Sequence, residues 1–297
     1  LVCSPIVSAL HMPMIVPQLN CMVILRGLIF QKNVVNTDME FYVGLHQPSD
    51  AGHFSKCCIH VERLTTRQKL LGCDELLLDS QAFMKLKLHG GYPDTPKDYA
   101  AKVARIAGLV GKLTAVTEDY MCEPFMIERT GLSVARHQQL TIERYDAIRA
   151  ALPGSIALMP VLQGYKPREY VDHIRQYGAR LERAAWVGVG SVCKRNTDPA
   201  AIKAVLLAIK AARPDLRLHG FGVKLIALQS GQIRSLLHSA DSMAWSYAAR
   251  RQGRDTNDWR EARDFVARID HRPSLGPMFE NLPDRAGATL PMGGPLP

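Results

Sequence analysis

The chain contains no CxxC pair, no HxH and no HExxH, and none of its seven cysteines lies beyond Cys193. Without such spacings, neither a cysteine–histidine zinc site nor a helix-borne metallohydrolase site is encoded in recognisable form. The cysteines are odd in number and several sit inside apolar runs, so they read as reduced, buried thiols of a cytoplasmic protein. A long unbroken apolar run is missing too. The most apolar stretch, residues 1–38, is interrupted by Pro13, Pro17 and Arg26 and lacks the basic start of a signal peptide. No GxGxxG follows the first strand-like run, which counts against a doubly wound dinucleotide-binding sheet. Acidic residues are in short supply: 28 Asp plus Glu face 37 Lys plus Arg, a net charge of +9. Such a surplus suits a polyanionic partner, although charge alone does not choose between DNA, RNA and a phosphorylated metabolite.

What is present is a regular alternation. Eight apolar runs read as strands: residues 41–45, 58–62, 76–80, 113–119, 156–163, 185–191, 216–222 and 239–245. From the third onward each is followed by a helical pattern, at 97–109, 134–152, 167–181, 199–212, 224–237 and 257–269. Nearly continuous apolar character marks strands buried on both faces, as in a parallel sheet. Eight βα units predict an α/β fold of the TIM (β/α)8 barrel type spanning residues 39–270. Residues 1–38 are expected to be an apolar extension outside the native domain, and the Pro- and Gly-rich residues 271–297 a disordered tail.

Four of the strand-like runs end on a residue that does chemistry. ELLLDS reaches Asp79, LTAVTED reaches Asp119, IALMPVLQG reaches Gln163 and SADSMAW carries Asp241. In a parallel barrel, side chains at the C-terminal strand ends converge on one pocket. Two carboxylates there can divide the work of glycosidic chemistry, one attacking the anomeric carbon and the other moving protons. A lone strand-end aspartate equally serves as a helix N-cap. Four such residues together favour a site.

Those segments resemble the tRNA-guanine transglycosylase superfamily in order and placement. LLLDSQAF is similar to its DSGGF motif, PVLQG to its VQG motif, WVGVGS to its glycine-rich loop, and SADSMAWSYAAR to the stretch carrying the nucleophilic aspartate. Taken together with MEFYVGLHQPSDA, DYMCEP and RLHGFGVK, they resemble the deazapurine DNA modification paralogues of bacteria and phages. The resemblance spans roughly residues 40–270. The CxCxxC zinc motif is missing after Asp241 and little chain remains for an RNA-binding module, so the barrel is expected without the zinc subdomain. Gln81–Ala82 stands where the family has Gly–Gly.

The resemblance implies a pentosyltransferase that exchanges guanine in DNA for a 7-deazaguanine such as 7-cyano-7-deazaguanine. Asp241 would be the nucleophile at C1′ and Asp79 the general acid–base. Asp119, Gln163, Gly190, Phe83, His219 and Gly220 would bind the base, with a backbone N–H near Gly190 assisting Gln163 at O6. Lys194, Arg195, Arg250, Arg251 and Arg254 would hold the phosphate backbone. A core phenylalanine, a buried structural histidine and a solvated basic face are the plainer readings of Phe83, His219 and the arginines. No cofactor, metal or membrane is implied. The partners implied are DNA and the deazaguanine base, with further DNA-modification proteins open. The same chemistry on tRNA, and an inactive barrel that only binds nucleic acid, are the competing readings.

Overall fold

The structure is a computed structural model that describes residues 39–195 and 198–270. The expectations for residues 1–38 and 271–297 lie outside the described residues. Nine strands are described: β1 (Glu40–Gly44), β2 (Lys56–His60), β3 (Glu75–Asp79), β4 (Lys112–Val116), β5 (Ala157–Met159), β6 (Val161–Leu162), β7 (Trp186–Val189), β8 (Arg217–Gly220) and β9 (Ser239–Ser242). All pair in parallel, in the order β5-β4-β3-β2-β1-β9-β8-β7-β6.

The two ends of that row are one stretch of chain. Only Pro160 separates β5 from β6, and proline cannot donate to a ladder. Its carbonyl still accepts from Gly188 N (2.9 Å), while that of Met159 accepts from Thr117 N (3.1 Å). The strand therefore changes partner from β4 to β7 at the proline and brings the row round into a TIM-like α/β barrel, as the eightfold pattern predicts. The expected single strand over 156–163 is thus two short ones, broken at the residue that lacks an N–H.

Strand alternation sorts the side chains into two layers. Tyr42, Cys58, Leu77, Val116, Met159 and Val161 point into the barrel, joined by Trp186 and Phe221. The alternate residues of the same strands, among them Leu76, Leu78, Val187, Val189 and Leu218, belong to the outer core packed under the helices. Burying a leucine as completely as Leu77 contributes about 1.5–3 kcal/mol. That double burial is the physical source of the continuous apolar runs.

Ten α-helices fill the described crossovers. Four of them, α2 (Pro96–Ala107), α4 (Val134–Ala151), α5 (Pro167–Tyr177) and α6 (Pro199–Ala212), match the expected segments within a few residues. Thr95 and Asp98 form a capping box on α2, and Ser133 and Asp198 cap α4 and α6. Three helices, α1 (Ala82–His89), α3 (Pro124–Thr130) and α9 (Ala244–Arg251), were not expected, and the last begins inside the expected strand 239–245. The expected helix 224–237 divides into α7 (Leu225–Leu228) and α8 (Gly231–Arg234), because the Ser230 side chain caps a fresh start. After β9 the chain enters α9 (Ala244–Arg251) at once, and α10 (Trp259–Asp270) follows as the expected basic helix. Among the described residues no helix is long and apolar enough to cross a membrane.

Candidate active site

Each barrel end opens into a cavity. The larger, about 490 Å³, is lined by Glu40, Lys112, Ala157, Trp186 and Arg217, which stand where strands begin. The other, about 390 Å³, is lined by Asp79, Asp119, Gln163, Gly190, Phe83 and Asp241. Strand C-termini form this second mouth, where parallel barrels do their chemistry, so size does not decide between the two.

Asp79 closes β3, and Asp241 lies within β9. Oδ1 of Asp79 accepts from Gln81 N at 2.9 Å. To offer that N–H, Gln81 adopts a left-handed conformation (φ 64°), the geometry that glycine takes most readily. Burial, reinforced by the nearby Asp241, pushes the Asp79 carboxyl up to about 6, against the pull of the Gln81 N–H and of Lys85. Oδ1 of Asp241 accepts from Gly222 N (3.1 Å) and from His219 Nε2 (3.2 Å).

The base-reading candidates form a second cluster. Gln163 Nε2 donates to Asp119 Oδ2, and Ser191 Oγ donates to Gln163 Oε1 at 2.9 Å. Burial raises Asp119 to about 7, with Asp79 and Glu123 adding to the rise and the Gln163 bond opposing it. Gly190 is what makes room. A Cβ there would fall 2.0 Å from Gln163 Nε2. The Gly190 N–H is committed to Leu162 O at 2.9 Å, so that donor belongs to the strand ladder and is not available to a base.

Gln163 is also pinned through its backbone. Its N–H donates to His173 Nδ1 (2.8 Å), and its carbonyl accepts from Gln138 Nε2 (2.8 Å). Burial drives His173 down to about 3, so the ring is neutral, accepts at Nδ1 and donates from Nε2 to Gln138 O at 3.2 Å.

Apolar side chains line the space between the two clusters. Phe83, Met121, Phe221 and Met243 all border the cavity. Phe83 is half-buried against Ala82, Leu86, Met121 and Met126. Phe221 crosses β7 at Gly188, where a Cβ would meet its ring at 2.3 Å. The Cys58 thiol also lines the cavity and is held protonated by burial and by Asp241 and Asp79. It is not a nucleophile.

His219 and Gly220 are not among the lining residues. His219 is fully buried behind Asp241, its ring edge-on to Tyr42, Trp186 and Phe221. β8 turns its histidine into the barrel interior, against Asp241 and off the cavity lining where direct contact with a base was expected.

The basic residues are spread unevenly. Lys194 lies in a short 3-10 turn (Cys193–Arg195), its side chain outside those described. Arg195 bonds the carbonyl of Tyr165 and stacks 4.3 Å over that ring. Arg250 and Arg251 are exposed at the end of α9, and Arg254 is paired with Glu261 at 2.9 Å. Arg63, which sequence reasoning missed, is exposed on the cavity lining and donates from Nε to His60 Nε2 at 3.2 Å. Together with burial it lowers His60 to about 4. Arg250 and Arg63 both depress the nearby His46, after burial, which ties Arg250 electrostatically to the same rim.

The family model described as DpdA, DeoxyPurine in DNA protein A, matches residues 37–257. The chain belongs to that family. The match runs from β1 through the whole barrel and stops before α10. No curated protein shows significant similarity to the chain. Membership in the DpdA family supports a DNA-modifying transglycosylase role, with DNA as the substrate.

A buried charge cluster escaped the sequence reading entirely. Glu118, fully buried beside Asp119, accepts from Arg144 Nε (2.9 Å) and Lys85 Nζ (3.3 Å). Lys85 also faces Glu62 (3.5 Å) and Asp94 (3.7 Å). Arg144 lies 4.5 Å over the Tyr92 ring, and Tyr92 OH donates to Asp119 O at 2.7 Å. The cluster thus buttresses the loop that presents Asp119. The only signal in the sequence was the adjacent acidic pair Glu118–Asp119, which does not reveal which of the two faces the cavity.

Proposed function

We propose that this enzyme exchanges guanine in DNA for a 7-deazaguanine base, such as 7-cyano-7-deazaguanine, by two successive displacements at C1′. Asp241 attacks C1′ as the C1′–N9 bond breaks, and the bonding pair leaves with guanine, which takes a proton from Asp79. The deazaguanine then returns that proton to Asp79 and attacks C1′, releasing Asp241. Asp119 accepts from the N1–H and 2-amino edge, and Gln163 donates to O6.

One observation carries the reading. Asp79, whose carboxyl is raised to about 6, lines the same cavity as Asp241 and the Asp119–Gln163 pair. An acid poised near neutrality beside a second carboxylate is the arrangement that glycosyl transfer with retention needs. Because C1′ is hidden in a duplex, the target nucleotide leaves the stack to enter.

The test is release of labelled guanine from DNA on adding enzyme and 7-cyano-7-deazaguanine, with tRNA assayed in parallel. Loss from DNA is expected, abolished by Asp241→Ala. Preferential loss from tRNA would overturn the DNA assignment. DNA binding without any exchange or covalent adduct would overturn the chemistry.

A further inference from the structure

The side chain of Asp241 ends a chain of hydrogen bonds that crosses the barrel interior. Trp186 Nε1 lies 2.8 Å from Ser239 Oγ, Ser239 Oγ lies 2.9 Å from His219 Nδ1, and His219 Nε2 lies 3.2 Å from Asp241 Oδ1. With the imidazole neutral, chemistry fixes the direction of every link. An indole N–H only donates, so Ser239 accepts from Trp186 and has its own O–H left to give. A carboxylate only accepts, so the hydrogen between His219 and Asp241 sits on Nε2. Nδ1 then presents a lone pair, and the Ser239 hydroxyl fills it. Ser239 and His219 are fully buried, so water does not compete at the link between them, while the half-buried Trp186 closes the far end beside the opposite cavity.

We propose that His219 is the positioning residue for the nucleophile, held in its Nε2–H tautomer by the Trp186–Ser239 pair. With Gly222 N also on Oδ1, both donors bind the same carboxylate oxygen. They fix the plane of the carboxylate and assign the attack on C1′ to Oδ2, which keeps its electron pairs. The proposal rests on the glycosyl-transfer reading above and adds to it the atom that attacks and the group that aims it. Orientation of this kind acts on the chemical step and leaves DNA affinity alone.

Two amide variants separate this role from a merely structural one. His219→Gln places an amide N–H where Nε2 stood and can still reach Asp241. His219→Asn places it where Nδ1 stood, facing Ser239 and leaving Oδ1 without its side-chain donor. Both are read by the single-turnover rate of covalent adduct formation on guanine-containing DNA and by DNA affinity. Expected is adduct formation by the Gln variant within about tenfold of the parent, a loss of about 10²-fold or more in the Asn variant, and unchanged DNA affinity in both. Equal rates in the two variants, whether fast or slow, would overturn the proposal. Nitrogen NMR of the imidazole in the unmodified enzyme gives a readout independent of activity. A proton on Nε2 and none on Nδ1 is expected, and the opposite tautomer would sink the assignment. If the parent forms no adduct at all, the transglycosylase reading fails while the tautomer measurement still judges the relay.

Discussion

The amide of Gln163 donates to the carboxylate of Asp119, joining the ends of two strands 44 positions apart in the chain. Ser191 sets the amide's direction by donating to Oε1. Donor and acceptor thus stand side by side at the barrel mouth, and in the proposed reaction they meet the O6 and the N1–H/2-amino edge of guanine. Adenine, with a donor at position 6, meets the wrong pattern at both.

Gly190→Ala tests that pairing. The added methyl lands on the Gln163 amide and must push it off Asp119. We expect a stability loss of about 1–3 kcal/mol from overpacking, and guanine exchange reduced far beyond it. Affinity for free guanine checks the second point and chemical denaturation the first.

The pH profile follows from two raised carboxyls with opposite duties. In the proposed mechanism Asp79 works protonated at the first displacement and sits at about 6, whereas Asp119 works ionised and sits at about 7. Activity therefore requires the less populated arrangement, and kcat/KM should trace a bell whose limbs fall near those two values. A profile still rising at pH 9 would remove Asp79 from the role of acid.

The same shifts bear on stability. A carboxyl raised in the folded state binds its proton more tightly than in the unfolded chain, so its contribution is complete below the unfolded value near 4. It is lost as pH climbs through about 7 for Asp119. Asp119→Asn should accordingly melt higher than the parent at pH 8, by about 1–3 kcal/mol, and the gap should close at pH 4. Parallel melting curves at the two pH values decide it.

Glu118→Gln should be costly although it lies outside the proposed chemistry. The substitution removes the carboxylate that Arg144 bonds and one of the three that face Lys85. A loss of about 3–5 kcal/mol is expected in urea denaturation. Replacing the whole triad by apolar residues should restore part of it.

Two neighbouring arginines should behave differently toward DNA. Arg250 is exposed near the rim, while Arg254 is held by Glu261. Arg250→Ala should reduce the slope of log affinity against log salt by about 0.7–0.9, and Arg254→Ala by much less. Equal slopes in the two variants would mean that the backbone passes elsewhere.

Much of the barrel and its mouth was legible in the sequence, for a definite reason. Strands buried on both faces must be apolar throughout, so a polar residue at the end of one, such as Asp79 or Gln163, stands out against its run. What was hidden depends on partners distant in sequence. Glu118 becomes intelligible only beside Lys85 and Arg144, 33 and 26 positions away. His219 reads as a base contact until the interior course of β8 is known. Phe221 reaches the cavity only because the adjacent strand offers Gly188. Arg63 carries no signal at all, since nothing in its local sequence sets it apart from other surface arginines.

Pro160 has a mechanical consequence. The stretches on either side of it each lean on a single neighbour, so the barrel wall carries a seam where half the usual lateral bonds are absent. Gln163 stands at the end of that seam. Its place beside Asp119 is therefore braced by side chains in lieu of a full ladder: His173 and Gln138 hold its backbone, and Ser191 holds its amide oxygen.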